Sequence, residues 1–223
     1  YRQMPELIEH GYVYLAQPPL YKIARKTKEE YIDSEAVLTQ RLLSLGVDES
    51  TLTPGEGPAF AGDRLGDLLG ILSRIEQTAL ALARKGIELT EYLPLRQAGT
   101  GRFPHYRVSV DDGETTDWKY LYSDSELKTF NDTMEQALGE AVELADDLDA
   151  DTESDRPRIT CTEIFSAGAL ERQAEALTAL GFSIDNYLPA PEPIGELALG
   201  NEPPIPVNGL HQVLDAVRDF GRR

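Results

Sequence analysis

The feature that most constrains this chain is a long amphipathic stripe. Leu65, Leu68, Leu69, Leu72, Ile75, Ala79, Leu82 and Ala83 recur at the three-to-four-residue spacing of one helix face. A helix with such a face folds only where a second layer covers it. Asp63 is the expected cap and Gly86 the expected end. Gly66 and Gly70 interrupt the stripe. Each costs about 1 kcal/mol relative to alanine, which close packing against another helix would explain.

Other segments can supply the partner layers. Residues 1–9 read as a helix stopped at Gly11, with Met4, Leu7 and Ile8 on one face, and Tyr12 to Ala16 reads as a strand. Gln17-Pro18-Pro19 breaks it, because neither proline offers an N–H to a ladder. Leu20 to Ile23 is a second strand, which Tyr31-Ile32 completes as a hairpin across a polar turn of Lys26, Lys28, Glu29 and Glu30. Asp33 or Ser34 caps a helix from Glu35 to Leu45, stopped by Gly46. Residues 47–53 are extended or loop, and 53–58 form a loop. Ile87 to Leu93 is a short helix stopped by Pro94. Tyr106 to Val110 and Trp118 to Tyr122 are strands around an Asp112-Gly113 turn. Ser123 or Asp124 caps a helix through Leu127, Phe130, Met134, Leu138, Val142 and Ala145. Arg158 to Ile164 is a strand, and Ser166 caps a helix ended by Gly181. The six prolines of residues 189–206 read as a linker without a core signature. Asn208 caps a last helix that Gly221 stops. The fold class expected is α/β, with no internal repeat.

Charge divides the chain unevenly. Of 223 residues with formal net charge -18, residues 111–155 hold two basic and sixteen acidic side chains, a net -14. Glu143, Asp146, Asp147, Asp149, Asp151, Glu153 and Asp155 form the densest run, without a base. Such a run repels itself and reads as a solvated helix end or loop. A calcium loop is excluded, since alternating ligands around a central glycine and a distal glutamate are absent. Residues 1–30 carry five bases against four acids, and Lys22, Arg25, Lys26 and Lys28 there form the one basic cluster. Taken as a whole, the composition argues against a chain that grips nucleic acid by itself.

Catalytic chemistry is hard to find. The lone Cys161 excludes an internal disulfide and a cysteine-built zinc site, and it reads as a structural strand residue. His10 sits at a helix end as a C-terminal cap, while His105 and His211 lack partners at ligand spacing. Gly99-Thr100-Gly101-Arg102 lacks the Walker-type phosphate-loop pattern. Trp118 and the strand tyrosines read as core or cross-strand packing. No apolar run is long enough to span a bilayer. The chain starts at Tyr1 without an apolar leader and reads as a piece of a longer protein.

The opening residues carry a resemblance. Tyr1-Arg2-Gln3-Met4-Pro5-Glu6-Leu7-Ile8-Glu9-His10-Gly11 leads into Tyr12-Val13-Tyr14 and then Gln17-Pro18-Pro19-Leu20-Tyr21-Lys22. This block strongly resembles the DNA gyrase B-subunit family of type IIA topoisomerases, within its Toprim region. The B subunit of topoisomerase IV is similar enough to stay open as an alternative. Val213 to Arg223 resembles, more weakly, the family's helix before its R-Y-K-G-L-G-E-M motif, which is absent here.

The resemblance implies a cytoplasmic parent enzyme, an ATP-driven heterotetramer with the gyrase A subunit that supercoils DNA. Its Toprim carboxylates hold Mg²⁺, and they lie upstream of the helix with which this chain opens. No catalytic residue, metal ligand or cofactor is therefore carried over to this chain, and ATP and Mg²⁺ belong to the parent. Residues 1–32 are expected to be the C-terminal part of the Toprim region, and 207–223 the helix returning to it. Residues 33–205 are expected to be an inserted mixed α/β domain, of the α+β kind, that positions the parent's parts. Lys22, Arg25, Lys26 and Lys28 are the DNA-contact candidates. A different reading makes the insert an acidic regulatory module that mimics DNA.

Overall fold

A computed structural model describes residues 6, 10, 18–25, 28–111, 116–138 and 158–223. The opening helix and the Tyr12 to Ala16 strand expected from sequence lie outside these residues.

A hairpin comes first. Strands β1 (Tyr21–Arg25) and β2 (Lys28–Ile32) pair antiparallel, with Tyr21 opposite Ile32. The hairpin matches expectation, except that Lys28, Glu29 and Glu30 lie within β2 rather than in the turn. Ile32 is buried, and Arg41 bonds Glu30 at 2.9 Å, which ties the hairpin to the next helix.

Helix α1 (Glu35–Val47) starts where expected, with Ser34 accepting from the Val37 N–H. It does not stop at Gly46, which is buried inside its last turn. Strands β3 (Ser50–Pro54) and β4 (Phe60–Ala61) follow. Helix α2 (Gly62–Ala83) then carries the apolar stripe. Leu65, Leu68, Leu72, Ile75 and Leu82 are fully buried, each worth about 1.5–3 kcal/mol of transfer free energy. Asp63 sits in the first turn rather than at the cap, where Ala61 makes no side-chain bond. Helix α3 (Leu89–Tyr92) runs into a 3₁₀ turn over Leu93–Leu95 that continues through Pro94. A proline in the first turn of a helix loses no intrahelical bond, so Pro94 is no stop.

Strands β5 (Tyr106–Asp111) and β6 (Thr116–Leu121) form an antiparallel pair, and helix α4 (Asp124–Leu138) follows. The expected Asp112-Gly113 turn and the continuation of α4 to Ala145 lie outside the described residues. Strand β7 (Arg158–Glu163) pairs with β5, giving the sheet order β6-β5-β7. Helix α5 (Ala167–Ala179) begins after Ser166, whose side chain makes no capping bond, and Gly181 with φ +94° turns the chain out of it. A 3₁₀ turn follows at Ile184–Tyr187.

The proline-rich stretch is not a coreless linker. Strand β8 (Gly195–Leu199) lies inside the four-stranded sheet β4-β3-β8-β9, with β9 at Ile205–Val207. Gly195, Leu197 and Leu199 are buried there. The prolines flank β8 and occupy an outer strand, where a missing N–H costs no ladder bond. At Gly195 a Cβ would stand 2.5 Å from the Thr53 carbonyl oxygen, so backbone contact, not flexibility, requires that glycine.

Helix α6 (Leu210–Gly221) closes the chain. Gly209, not Asn208, occupies its cap, while the Asn208 amide donates to the Ala190 carbonyl at 2.9 Å. Leu210, Val213, Leu214 and Val217 enter the main core together with α1, α2, α5 and the four-stranded sheet. A smaller core of Val108, Leu121 and Ile159 lies between the three-stranded sheet and Leu127, Phe130 and Met134 of α4.

The tightest seam joins α1 to α6. A Cβ on Gly46 would collide with the Val217 carbonyl oxygen, and one on Gly221 with the Leu42 carbonyl oxygen. Gly46 meeting Val217 and Leu42 meeting Gly221 sets the helices antiparallel. Neither glycine is a stop signal; both let two backbones touch. Gly66 meets no atom within 4 Å and Gly70 only the tip of Arg74, so their expected close-packing role is not seen. Gly46→Ala or Gly221→Ala should therefore destabilise the fold by about 1–3 kcal/mol through overpacking. Gly66→Ala should stabilise it by about 0.5–1 kcal/mol through helix propensity. Urea midpoints of the three variants check both signs.

Candidate functional site

The hairpin places the predicted DNA-contact residues. Lys22 pairs with Tyr31, and Arg25 with Lys28 at the far end of the ladder, while Lys26 lies outside the described residues. Strand alternation puts Lys22, Glu29 and Tyr31 on one face. Lys22 Nζ stands 2.8 Å from Glu29 Oε1 and 5.7 Å from the Tyr31 ring centre. On the other face Glu30 accepts from Arg41. The cluster that looks basic along the sequence is thus interleaved with carboxylates in space. Both Lys22 and Glu29 are well exposed, so their pairing is worth at most about 1 kcal/mol and opens readily to another anion.

The remaining sequence candidates are held structurally. His10 Nδ1 lies 2.8 Å from the Glu6 carbonyl, the contact expected of a helix C-terminal cap. Cys161 is half-buried in β7 against the smaller core, as a structural cysteine should be. His105 Nε2 approaches Glu171 Oε1 at 3.6 Å. At residues 97–102 the backbone closes on itself: the Gly101 N–H donates to the Gln97 carbonyl at 2.8 Å, so it is not offered to a phosphate. Trp118 is half exposed rather than core, with the Arg107 guanidinium 4.3 Å from its ring centre. The acidic run from Glu143 to Asp155 lies outside the described residues.

A second candidate was not legible as a motif. Helices α2 and α6 and the turn at Ile184–Tyr187 enclose a hollow of about 270 Å³. Its lining includes Glu76, Tyr187, His211 and Asp215, set among Ala79, Leu89, Leu188, Pro189 and Leu214. Arg218 organises the polar side. It donates to both oxygens of Glu76 at 3.1–3.2 Å and to Asp215 Oδ1. Burial works against the Arg218 charge, but the bonds and charge of Glu76, then of Asp215, hold its pKa above the ordinary value. Burial first, then Glu76 and Asp215, push the Tyr187 phenol up to about 12, with Arg218 opposing. His211 Nδ1 lies 2.8 Å from the Tyr187 carbonyl. A carbonyl only accepts, so Nδ1 carries the proton and Nε2 of the neutral ring is an acceptor.

These residues lie up to 142 positions apart, too far for spacing rules to join them. The one sequence trace is the placement of His211, Asp215 and Arg218 at i, i+4 and i+7, a polar stripe beside the apolar face of α6.

Comparison with known proteins places the whole. At 30% identity, all of the chain aligns with the DNA gyrase B subunit of Chlamydia pneumoniae. The corresponding gyrase protein of Caulobacter vibrioides is 31% identical over 83% of the chain. The type 2 topoisomerase B subunit of Aquifex aeolicus is 31% identical over 63% of it. The chain spans about a quarter of the two gyrase proteins, 25% and 24% of their lengths. No protein-family model matches it. The class so defined is a region of type II topoisomerase B subunits. Within that class, the resemblance to the DNA gyrase B subunit carried by the first 24 residues extends along the entire chain.

The Arg218 geometry is open to a direct test. Replacing Arg218 by methionine keeps most of its stem but strands Glu76 and Asp215 beside each other. The loss should be about 1–3 kcal/mol, the penalty of an unpaired, partly buried carboxylate. Thermal unfolding of the variant, alone and combined with Glu76→Gln, checks it: the second change should recover part of the loss.

Proposed function

We propose that the chain is the Toprim-side part of a gyrase-type B subunit, and that it carries an inserted unit which positions its neighbours rather than performing chemistry. The alignment of the entire chain with a quarter of the DNA gyrase B subunit carries this reading. On it, the parent enzyme supercoils DNA using ATP, holds Mg²⁺ on carboxylates elsewhere, and works with the gyrase A subunit. Topoisomerase IV stays the neighbouring possibility within the class.

The seam between α1 and α6 supports the insertion. Because these helices run antiparallel, α6 ends against Leu42, roughly 10 Å along α1 from its start, so the chain enters and leaves toward the same end of the pair. Neighbouring ends are what a domain inserted in a surface loop requires. Since α6 and Val207 share the main core with α1, we place the outer edge of the inserted unit after α6 rather than at residue 205. The hairpin then lies on the parent's side of the junction, and Lys22, Arg25, Lys26 and Lys28 stay its DNA-contact candidates.

Replacing residues 35–221 of the parent enzyme by a short Gly/Ser linker should lower ATP-dependent supercoiling at least tenfold, while ATP hydrolysis without DNA persists. Unchanged supercoiling would remove the positioning role. Reversing Lys22, Arg25, Lys26 and Lys28 to glutamate should weaken DNA binding and flatten its dependence on salt, by up to about 0.9 in logarithmic slope per lost phosphate contact. An unaltered salt slope would mark the four as a solvated turn.

A further inference from the structure

The hollow between α2 and α6 has the chemistry of a binding site, and this inference is independent of the topoisomerase reading. Its polarity is graded from rim to floor. Asp215 has 55% of its side chain exposed, Glu76 30%, and Tyr187 is only 7% exposed. The Tyr187 hydroxyl makes no hydrogen bond among the described residues and is not among their fully buried polar atoms, so its oxygen is open to the hollow while the ring is buried. It lines the same hollow as Glu76 and Asp215, and both carboxylates act on its ionisation.

The polar side chains that line the hollow can all act as acceptors. Asp215 Oδ2 makes no hydrogen bond among the described residues, because Arg218 engages only Oδ1. Glu76 keeps spare lone pairs beyond those used by Arg218. His211 Nε2 can accept in the neutral ring, whose Nδ1–H donates to the Tyr187 carbonyl, and the Tyr187 oxygen can accept as well. Two carboxylates against one guanidinium leave a formal charge of -1 with a neutral imidazole. An anion would meet net repulsion, and a neutral apolar group would leave the acceptors unmet. The opposite wall is apolar, formed by Ala79, Leu89, Leu188, Pro189 and Leu214.

We propose that this hollow binds an aliphatic ammonium or guanidinium group, its stem against the apolar wall and its N–H donors on Asp215, Glu76, Tyr187 and His211. Such a group exists both as a free alkylamine and as a lysine or arginine side chain, and the two sources differ in what else must fit at the rim.

Titration of the 223-residue chain with agmatine, followed by calorimetry and by NMR of the Tyr187 and His211 rings, tests the proposal. Agmatine should bind saturably and shift both rings, whereas butanol and butyrate, with similar stems, should not. Tyr187→Phe removes no hydrogen bond among the described residues, so it should stay folded while weakening agmatine at least fivefold. Asp215→Asn should weaken it at least tenfold. A capped Gly-Arg-Gly peptide separates the sources: equal binding of peptide and agmatine assigns a protein side chain, and agmatine alone assigns a free amine. Agmatine that binds no better than butanol, or equally well to both variants, overturns the proposal.

Discussion

The contact between the backbones of α1 and α6 is the constraint on which the rest of the structure depends. Two glycines, 175 positions apart in sequence by their numbers, let Leu42 and Val217 present carbonyl oxygens where any side chain would clash. That approach puts Val213, Leu214 and Val217 against the core from one side while α2 and α5 close it from others. It also fixes β3, because the Ser50 hydroxyl donates to the Gly46 carbonyl at 2.6 Å immediately after α1 ends. β3 in turn fixes β8 through five register pairs, and β8 needs Gly195 for the same reason that α1 needs Gly46. Close backbone approach, repeated at two places, makes this core specific as well as apolar.

The smaller layer is joined to that core by polar contacts. Arg107 leaves β5 on the face away from α4 and donates to the Lys85 and Gly86 carbonyls at 2.7 and 3.0 Å, where α2 has just ended. A cation suits the negative end of a helix. Lys85 returns the contact through the carbonyl of Glu163, the last residue of β7, and lies 4.9 Å from the Phe165 ring centre. Tyr92 adds a buried bridge: its hydroxyl donates to the Pro104 carbonyl at 2.5 Å, and burial, then Glu171 and nearby tyrosines, hold its pKa well above the ordinary value. The two layers thus meet through orientation-specific bonds, which fix their mutual angle more sharply than apolar contact alone.

Much of the fold was legible because periodicity reports burial. The stripe on α2 and the apolar positions of α6 each depend on which side faces the core, and local spacing records that, whereas β5 is central and buried on both faces at Arg107, Val108 and Ser109. The role of glycine was not legible. Gly46, Gly66, Gly195 and Gly221 look alike along the chain, yet three are pressed against foreign backbone and one meets nothing. Only the tertiary neighbour separates these cases. Strand β8 was hidden for a related reason: prolines on both sides resemble a linker, while Leu197 between them is fully buried. The basic hairpin was legible as a cluster, but register decided that Glu29 and Glu30 stand among its cations. The hollow was beyond reach because Glu76, Tyr187 and Arg218 come from three separate elements.

The antiparallel seam also determines how the unit answers a pull. Strands of rope joined side by side resist sliding together but yield when peeled from one end. Residues 33 and 222 emerge at the same end of the α1–α6 pair, so tension between them peels the seam like a zipper. The Gly221–Leu42 contact would open first and the Val217–Gly46 contact next, with α2 and the sheets still intact behind them. Opening the second contact also begins to uncover Val217 and Leu214, so the resistance rises as the peel reaches the core. A pull of this kind loads the seam one backbone contact at a time before it reaches β3 and β8.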